Sequence, residues 1–372
     1  MSSDPVKPSS GSDWYRAVGS HRSGPLGAIT DVAGVEVGHA TLIAGEGKRQ
    51  AGVGPVRTGV TVVVPSEDVW ERPLRAGAER INGAGEVSGL EWMRESGLLT
   101  TPIGLTNTHS LGVVRDAIAR AHVRENRRQM FSLPVVGETC DVLLNDMYGH
   151  HVRAEHLDQA LADAKGGPVE QGSVGSGTGM VCHDFKGGIG SASRLAGSDG
   201  GGETWTVGVL VQANHGVRER LTIDGVPVGR LLGPDRIPAA DWESISSALA
   251  GSGSIIIVIA TDAPLMATEC TSLAKRATFG LARTGGAGER QSGDFAIAFS
   301  TARDHPDAED GRLRVARHLE EDQLAWLYWA TIEAVEQAIV NALLAAETMT
   351  GADGNTVHAL SASDLDGLDR GV

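Results

Sequence analysis

The chain has 372 residues and a formal net charge of −15, from 47 acidic against 32 basic residues. That balance argues against a nucleic-acid backbone or an anionic membrane as partner and leaves chemistry on small molecules or peptides. Aromatic residues are 4% of the chain while glycines number 50, and because the glycines lie between apolar runs they indicate tight turns and close backbone approaches rather than disorder. The three cysteines, Cys140, Cys182 and Cys270, are odd in number and far apart. They fit no paired metal spacing, so free thiols in a reducing compartment are expected, with no metal and no cofactor. Residues 1–27 are rich in Ser, Pro and Gly without an apolar segment, and read as the loose tail of a soluble cytoplasmic protein. No run reaches the length of a transmembrane helix. With no internal repeat and no Pro-rich linker, residues 28–372 read as one domain.

In chain order, Val35–Leu42 alternates as a strand, and Thr58–Pro65 reads as a second, more fully buried one. Asn82–Glu86 is a tight turn. Thr106–Ser110 supplies caps for a helix that carries Val113, Val114, Ala117, Ile118 and Ala121 at helical spacing. His109, ahead of that helix, reads as a structural hydrogen-bonder. Residues 134–151 hold the densest polar cluster of the chain: Glu138, Asp141, Asp146, Tyr148, His150 and His151. It has the composition of a site wall. Zinc is not favoured there, because adjacent histidines in extended backbone point apart.

A short amphipathic helix over Ala154–Ala164 precedes Gly172–Met180, whose glycines mimic a phosphate loop. No helix opens after them, so nucleotide binding is not supported. Trp205–Asn214 is a strong strand whose last residue, Asn214, is placed either to donate to an oxyanion or simply to form a turn. The segment 229–252 reads as loop and short helix leading to Gly251-Ser252-Gly253-Ser254, which runs straight into the β-branched strand Ile255–Thr261. The junction is open to two readings. It is ordinary turn punctuation, or it is a self-cleavage site at which Ser254 attacks the Gly253 carbonyl. The second reading yields a chain beginning with Ser254, whose α-amine, with an unperturbed pKa of about 7.7–8.0, can take the hydroxyl proton.

Ala267–Arg283 reads as a helix, and the strand after it begins at Asp294. Ser292 and Asp294 lie two apart, so in extended backbone they face one side, where a hydroxyl and a carboxylate can orient an ammonium group. An exposed polar strand start is the alternative. An acidic loop around Asp304–Gly311 precedes the longest helix, Glu320–Thr348, whose Leu324, Leu327, Thr331, Val335, Ile339 and Leu343 form one face suited to cover a sheet. Strands in runs with separate helices, and few strict βαβ units, predict an α+β protein of packed sheets covered by helices.

Several tracts together carry a resemblance. They are Ile29-Thr30-Asp31-Val32 with Val37-Gly38-His39, residues 56–61 (VRTGVT), residues 106–110 (TNTHS), residues 186–190 (KGGIG) and residues 211–214 (VQAN). To these are added residues 254–258 (SIIIV) with 260–264 (ATDAP), Ser292-Gly293-Asp294, and residues 333–343 (EAVEQAIVNAL). In this order, from about residue 28 to about 360, the chain resembles the self-processing L-aminopeptidase/D-amidase-esterase family, which includes the β-peptidyl aminopeptidases. The resemblance implies a four-layer αββα sandwich, similar in layering to the N-terminal nucleophile hydrolases but differently connected. It also implies autocleavage between Gly253 and Ser254 into chains 1–253 and 254–372 that stay together in a homo-oligomer of such pairs.

Carried onto this sequence, the resemblance makes Ser254 the nucleophile with its freed amine as base, Asn214 the oxyanion donor and Tyr148 a neighbour of the reacting centre. Ser292 and Asp294 would hold the amine; the family often has glutamate where this chain has Asp294. The substrates implied are small peptides, amides or esters with a free amine. For that ammonium Glu138 is the first candidate partner and Asp146 the second, since a carboxylate in a partly dry pocket pairs well with it. Two rival expectations are an acyltransferase similar to the ornithine acetyltransferases, which use threonine, and an uncleaved, non-enzymatic binding protein on the same scaffold.

Overall fold

The β-branched run that opens at Ser254 shows how the molecule is layered. In the computed structural model, which describes residues 18–124, 131–197, 203–245, 253–303, 305–306, 314–366 and 368, Ser254–Thr261 is buried at every position. Its side chains divide with the period of two that a strand imposes. Ile255, Ile257 and Ile259 enter one apolar core, while Ile256, Val258 and Ala260 enter another. A strand that is apolar on both faces needs a cover on each.

Two sheets and five helices of seven or more residues supply the covers. The strands are β1 (Glu36–Ala44), β2 (Val56–Val64), β3 (Leu74–Arg80), β4 (Leu98–Leu99), β5 (Ile103–Asn107) and β6 (Val135–Thr139), a short hairpin β7 (Val181–Cys182) and β8 (Phe185–Lys186), then β9 (Gly188–Ala196), β10 (Trp205–Asn214), β11 (Ser254–Thr261) and β12 (Gly293–Ser300). The helices are α1 (Leu90–Ser96), α2 (Leu111–Arg124), α3 (Ala154–Ala162), α4 (Ala267–Arg283) and α5 (Glu321–Leu344). One sheet has the order β1-β2-β5-β6 and the other β4-β3-β12-β11-β10-β9. Only β5 with β6 and β11 with β12 pair in parallel within these sheets, and each parallel pair is joined through a helix, α2 or α4, as a parallel crossover requires.

The cores give the layer order. Val60, Val62 and Val136 of the smaller sheet pack with Val114, Ile118, Leu157 and Ala160 of α2 and α3. Val63, Ile103 and Leu105 on its other face meet Ile256, Val258 and Ile297 of the larger sheet. The far face of the larger sheet meets Leu273, Ala277, Val335 and Ile339 of α4 and α5. The result is helix, sheet, sheet, helix: the expected α+β, four-layer αββα sandwich.

The boundaries expected for β10 and α4 are those observed. Helix α5 ends at Leu344 rather than Thr348, and from Ala330 to Leu344 it is buried on all sides rather than along one face. The reason is the segment expected to be tail. Val18 is buried, its carbonyl accepts from Arg194 Nη2 at 2.6 Å, and the His21 N–H donates to Glu333 Oε2 at 2.9 Å. Residues 18–21 are therefore held against α5, and Arg22 and Gly24 against β9, which corrects the expectation of a loose tail up to residue 27; residues 1–17 lie outside the described residues. So do most of the acidic loop at 304–313 and the last part, 246–252, of the segment leading to the junction.

Candidate active site

Three neighbouring strands of the larger sheet end at one place. Ser254 opens β11 opposite Asn214, the last residue of β10, and beside Gly293, the first residue of β12. The antiparallel and parallel pairings fix the register, so the hydroxyl, amide and β12 N–H converge because of topology rather than sequence proximity. Gly253 lies so close to β10 that a Cβ there would stand 2.2 Å from the Asn214 carbonyl oxygen. Only glycine fits before Ser254.

Ser254 Oγ donates to the Gly253 carbonyl oxygen at 2.6 Å. The Gly293 N–H points at both, 3.1 Å from the Gly253 oxygen and 3.2 Å from Ser254 Oγ. The Asn214 amide is fixed at each end: Oδ1 accepts from the Val181 N–H at 2.8 Å and Nδ2 donates to the Cys140 carbonyl at 3.1 Å. On β12, Ser292 Oγ donates to Asp294 Oδ1 at 2.6 Å, as two residues on one side of a strand can. Burial raises the Asp294 carboxyl to about 6, against the hydrogen bonds from Ser292 and Asn82 that lower it. Asn82 embraces Asp294, its Nδ2 donating to Oδ2 at 3.1 Å and its Oδ1 accepting the Asp294 N–H at 2.8 Å. Sequence reading placed Asn82 only in a turn, and nothing local in that turn announces a partner on β12.

The junction opens into a cavity of about 390 Å³ walled by Gly85, Glu86, Thr108, Glu138, Cys140, Asn214, Trp242, Gly253, Ser254 and Gln291 among others. Glu138, at the end of β6, brings a buried carboxylate into this space. It accepts from the Glu86 N–H at 2.8 Å and from the Thr108 hydroxyl. Burial raises its pKa, with the Thr108 and Glu86 hydrogen bonds acting in the opposite direction.

The polar cluster at 134–151 divides. Asp141 is buried beneath the cavity, where Asn107 Nδ2 donates to Oδ2 at 3.0 Å and Asn145 Nδ2 to Oδ1 at 3.1 Å. Asp146, the second candidate for the ammonium, does not line the cavity. Its Oδ2 is taken up by the Gly52 N–H at 2.9 Å and His151 Nε2 at 2.8 Å. Tyr148 is exposed and is not in the cavity wall; its ring packs edge-on against His109, 5.4 Å between centroids, and His109 stacks on His150. The structure thus brings Gly253, Ser254, Asn214 and Glu138 to one cavity with Ser292 and Asp294 behind it, and leaves Asp146 and Tyr148 apart.

With this geometry established, comparison with known proteins defines the class. Peptidase family S58 matches residues 27–357, and the chain belongs to that family. It is therefore a hydrolase of the aminopeptidase type. It is 44% identical over 349 residues to the beta-peptidyl aminopeptidase BapA of Sphingosinicella microcystinivorans, across 92% of this chain and 88% of that one. Among solved structures, a Burkholderia sp. beta-aminopeptidase superimposes with a TM-score of 0.85 at 46% identity, over 96% of this chain and 97% of the other. The L-aminopeptidase D-Ala-esterase/amidase of Ochrobactrum anthropi, a serine aminopeptidase described as a new variant among the Ntn hydrolase fold, gives 0.83 at 38% identity, over 93% and 94%. No helix among the described residues is long and apolar enough to cross a membrane.

Proposed function

We propose that this protein is a self-processing aminopeptidase whose nucleophile is Ser254. The observation that carries the reading is the grip on the Gly253–Ser254 peptide. The hydroxyl lies 2.6 Å from the Gly253 oxygen, and the Gly293 N–H donates to that oxygen, where negative charge would develop. Attack of Ser254 Oγ on the Gly253 carbonyl carbon breaks the C–N bond and forms an ester, with the hydroxyl proton passing to the departing amine. Water then cleaves the ester, leaving a carboxylate on Gly253 and a free amine on Ser254.

The second stage uses the same atoms on substrate. The Ser254 amine accepts the hydroxyl proton, Oγ attacks the acyl carbon of a small peptide, amide or ester, and the proton passes on to the leaving amine or alkoxide. Asn214 Nδ2 donates to the oxyanion, Ser292 and Asp294 hold the amine, and water clears the acyl-enzyme. Glu138 faces the substrate ammonium in the cavity, the relation that makes this an aminopeptidase rather than an endopeptidase. Asp146, bonded to Gly52 and His151, has no part in this scheme. The BapA and Burkholderia relatives favour β-amino-acid substrates as the first panel. The three free cysteines suit a reducing cytoplasm, and long-chain/short-chain pairs assembling as a homo-oligomer complete the proposal.

Denaturing intact mass spectrometry tests it. Species corresponding to residues 1–253 and 254–372 are expected, together with a single uncut chain for Ser254→Ala. An uncut wild-type chain that nevertheless hydrolyses aminoacyl amides would overturn the amine as base.

A further inference from the structure

Next to Asn214 in the chain, and outside the lining of the cavity, begins a second group of reactive side chains that the proposed chemistry does not use. Cys182, His183 and His215 are all buried, and one ligating atom from each lies within 4.8 Å of the others. Cys182 Sγ is 3.8 Å from His215 Nδ1. His183 Nδ1 is 3.1 Å from the Val217 carbonyl, which fixes the ring as Nδ1–H donor and leaves Nε2 as a lone pair. Neither His183 Nε2 nor His215 Nε2 has a hydrogen-bond partner. The unpartnered His183 Nε2, beside a thiol and a second imidazole in a dry interior, calls for an explanation.

We propose that Cys182, His183 and His215 form a binding site for a soft d10 cation such as Cd²⁺ or Zn²⁺, and that its occupation slows turnover at Ser254. The donor set is that of such ions: one thiolate and two imidazoles. Tetrahedral bonds of about 2.0–2.3 Å put ligand atoms roughly 3.3–3.8 Å apart, so the Cys182–His215 pair is already at bonding separation and the remaining atoms have to close by no more than about 1.5 Å. The thiol proton leaves for solvent as the metal–sulfur bond forms. Burial pushes the Cys182 thiol up to about 12, and Lys186, whose Nζ is held by the Gly177 and Gly187 carbonyls at 3.2 and 2.8 Å, acts in the opposite direction.

The cluster lies close to a cavity that none of its three residues lines. This cavity, of about 490 Å³ and lined by Asp184, Gly216, Val217, Arg218 and Trp242, shares Trp242 with the Ser254 cavity. Gly216, at φ +90°, forms its wall against His183, and a Cβ there would stand 2.3 Å from the imidazole. At that point backbone alone separates cavity and ligand. Coupling to the active site follows from chain connectivity. His215 is bonded to Asn214, and Cys182 to Val181, the residue whose N–H holds Asn214 Oδ1. The gap left to close is to His183, the residue after Cys182, so binding pulls on the strand that carries Val181 and shifts one end of that hydrogen bond.

The test uses full-length, chelator-treated protein titrated with CdCl₂. The expected result is one ultraviolet thiolate-to-cadmium charge-transfer band, saturating at one equivalent per chain. With it, kcat falls several-fold with KM little changed, and chelator restores the rate. Cys182→Ala should retain metal-free activity but lose the band and the inhibition, while Cys140→Ala should keep the band. His183→Gln, which preserves the cysteine, should weaken binding at least tenfold. Absence of a stoichiometric band, or its survival in Cys182→Ala, overturns the site. Saturation with an unchanged kcat overturns the coupling to Asn214. The band is read without turnover, so failure of the Ser254 mechanism would not be mistaken for failure of the metal site.

Discussion

Glu138 and Asp141 stand three residues apart in one polar run, both buried, both with carboxyl pKa values raised by burial, yet they do different work. Asp141 has each oxygen bonded by an asparagine side chain, from Asn107 and from Asn145. Glu138 also accepts hydrogen bonds, from Glu86 and Thr108, but lies in the wall of a cavity that contains Ser254. Burial and a perturbed pKa therefore do not separate the carboxylate proposed to bind substrate from one held wholly inside the fold. Open space in front of the oxygen does.

The largest effect that would sharpen the contrast is at Asn214, which shares the cavity with Glu138. Asn214→Ala is expected to lower kcat by about 10²–10³-fold, the cost of removing one oxyanion donor, measured on chain already cleaved so that processing is not confounded with turnover. Asp294→Asn comes next, with kcat reduced about 10–100-fold. In the proposed scheme its carboxylate, ionised above about pH 6, would stabilise the protonated Ser254 amine and so raise the amine pKa. Removing that charge should move the acid limb of the kcat/KM profile to lower pH, whereas an unmoved limb would detach Asp294 from the amine.

Glu138→Gln is expected to raise KM for substrates with a free amine by roughly tenfold, as loss of one charged hydrogen bond does, while leaving N-acylated esters unaffected. An unchanged KM would remove Glu138 from the ammonium role. The smallest effect on catalysis is expected at Asp141. Asp141→Asn should leave kcat and KM as they are and cost about 1–3 kcal/mol of stability, because an amide donor would face the Asn107 or Asn145 donors. Burial raises the Asp141 carboxyl to about 6, so the folded chain binds this proton more tightly than the unfolded chain. Its contribution to stability accordingly falls as pH rises from about 4 to about 6. Denaturant midpoints across that range should show the decline in wild type relative to the variant.

The layers were legible because strand and helix patterns are local. The unbroken apolar run Ile255–Ala260 and the apolar spacing of α5 announce a sheet with covers, and the strand ends at Asn214 and Asp294 can be placed within a residue. What convergence requires is register between distant segments, and that is not written locally. Asn82, which embraces Asp294 from 212 residues away, looked like a turn residue because its side-chain partner is visible only after β3 and β12 have paired. The family resemblance points to Tyr148 and the shared polar run to Asp146, but the chain turns after β6 and sets their side chains against His109 and Gly52, outside the cavity lining. The all-round burial of α5 is not written locally for a related reason: its second cover is the segment near Val18, more than 300 residues earlier.

The placement of β11 in the middle of the larger sheet bears on what a cut before Ser254 would produce. Residues 254–372 contain β11, β12, α4 and α5; residues before the cut contain β10 and β3, which flank β11 and β12 in the sheet. The two cores on either face of the isoleucine strand would thus draw side chains from both products, while the core under α2 and α3 lies wholly in the first. The cut would make a new chain end without making a new surface. Such a nicked pair behaves as a single cooperative body, migrating together through any native separation and parting only when the cores themselves are dissolved.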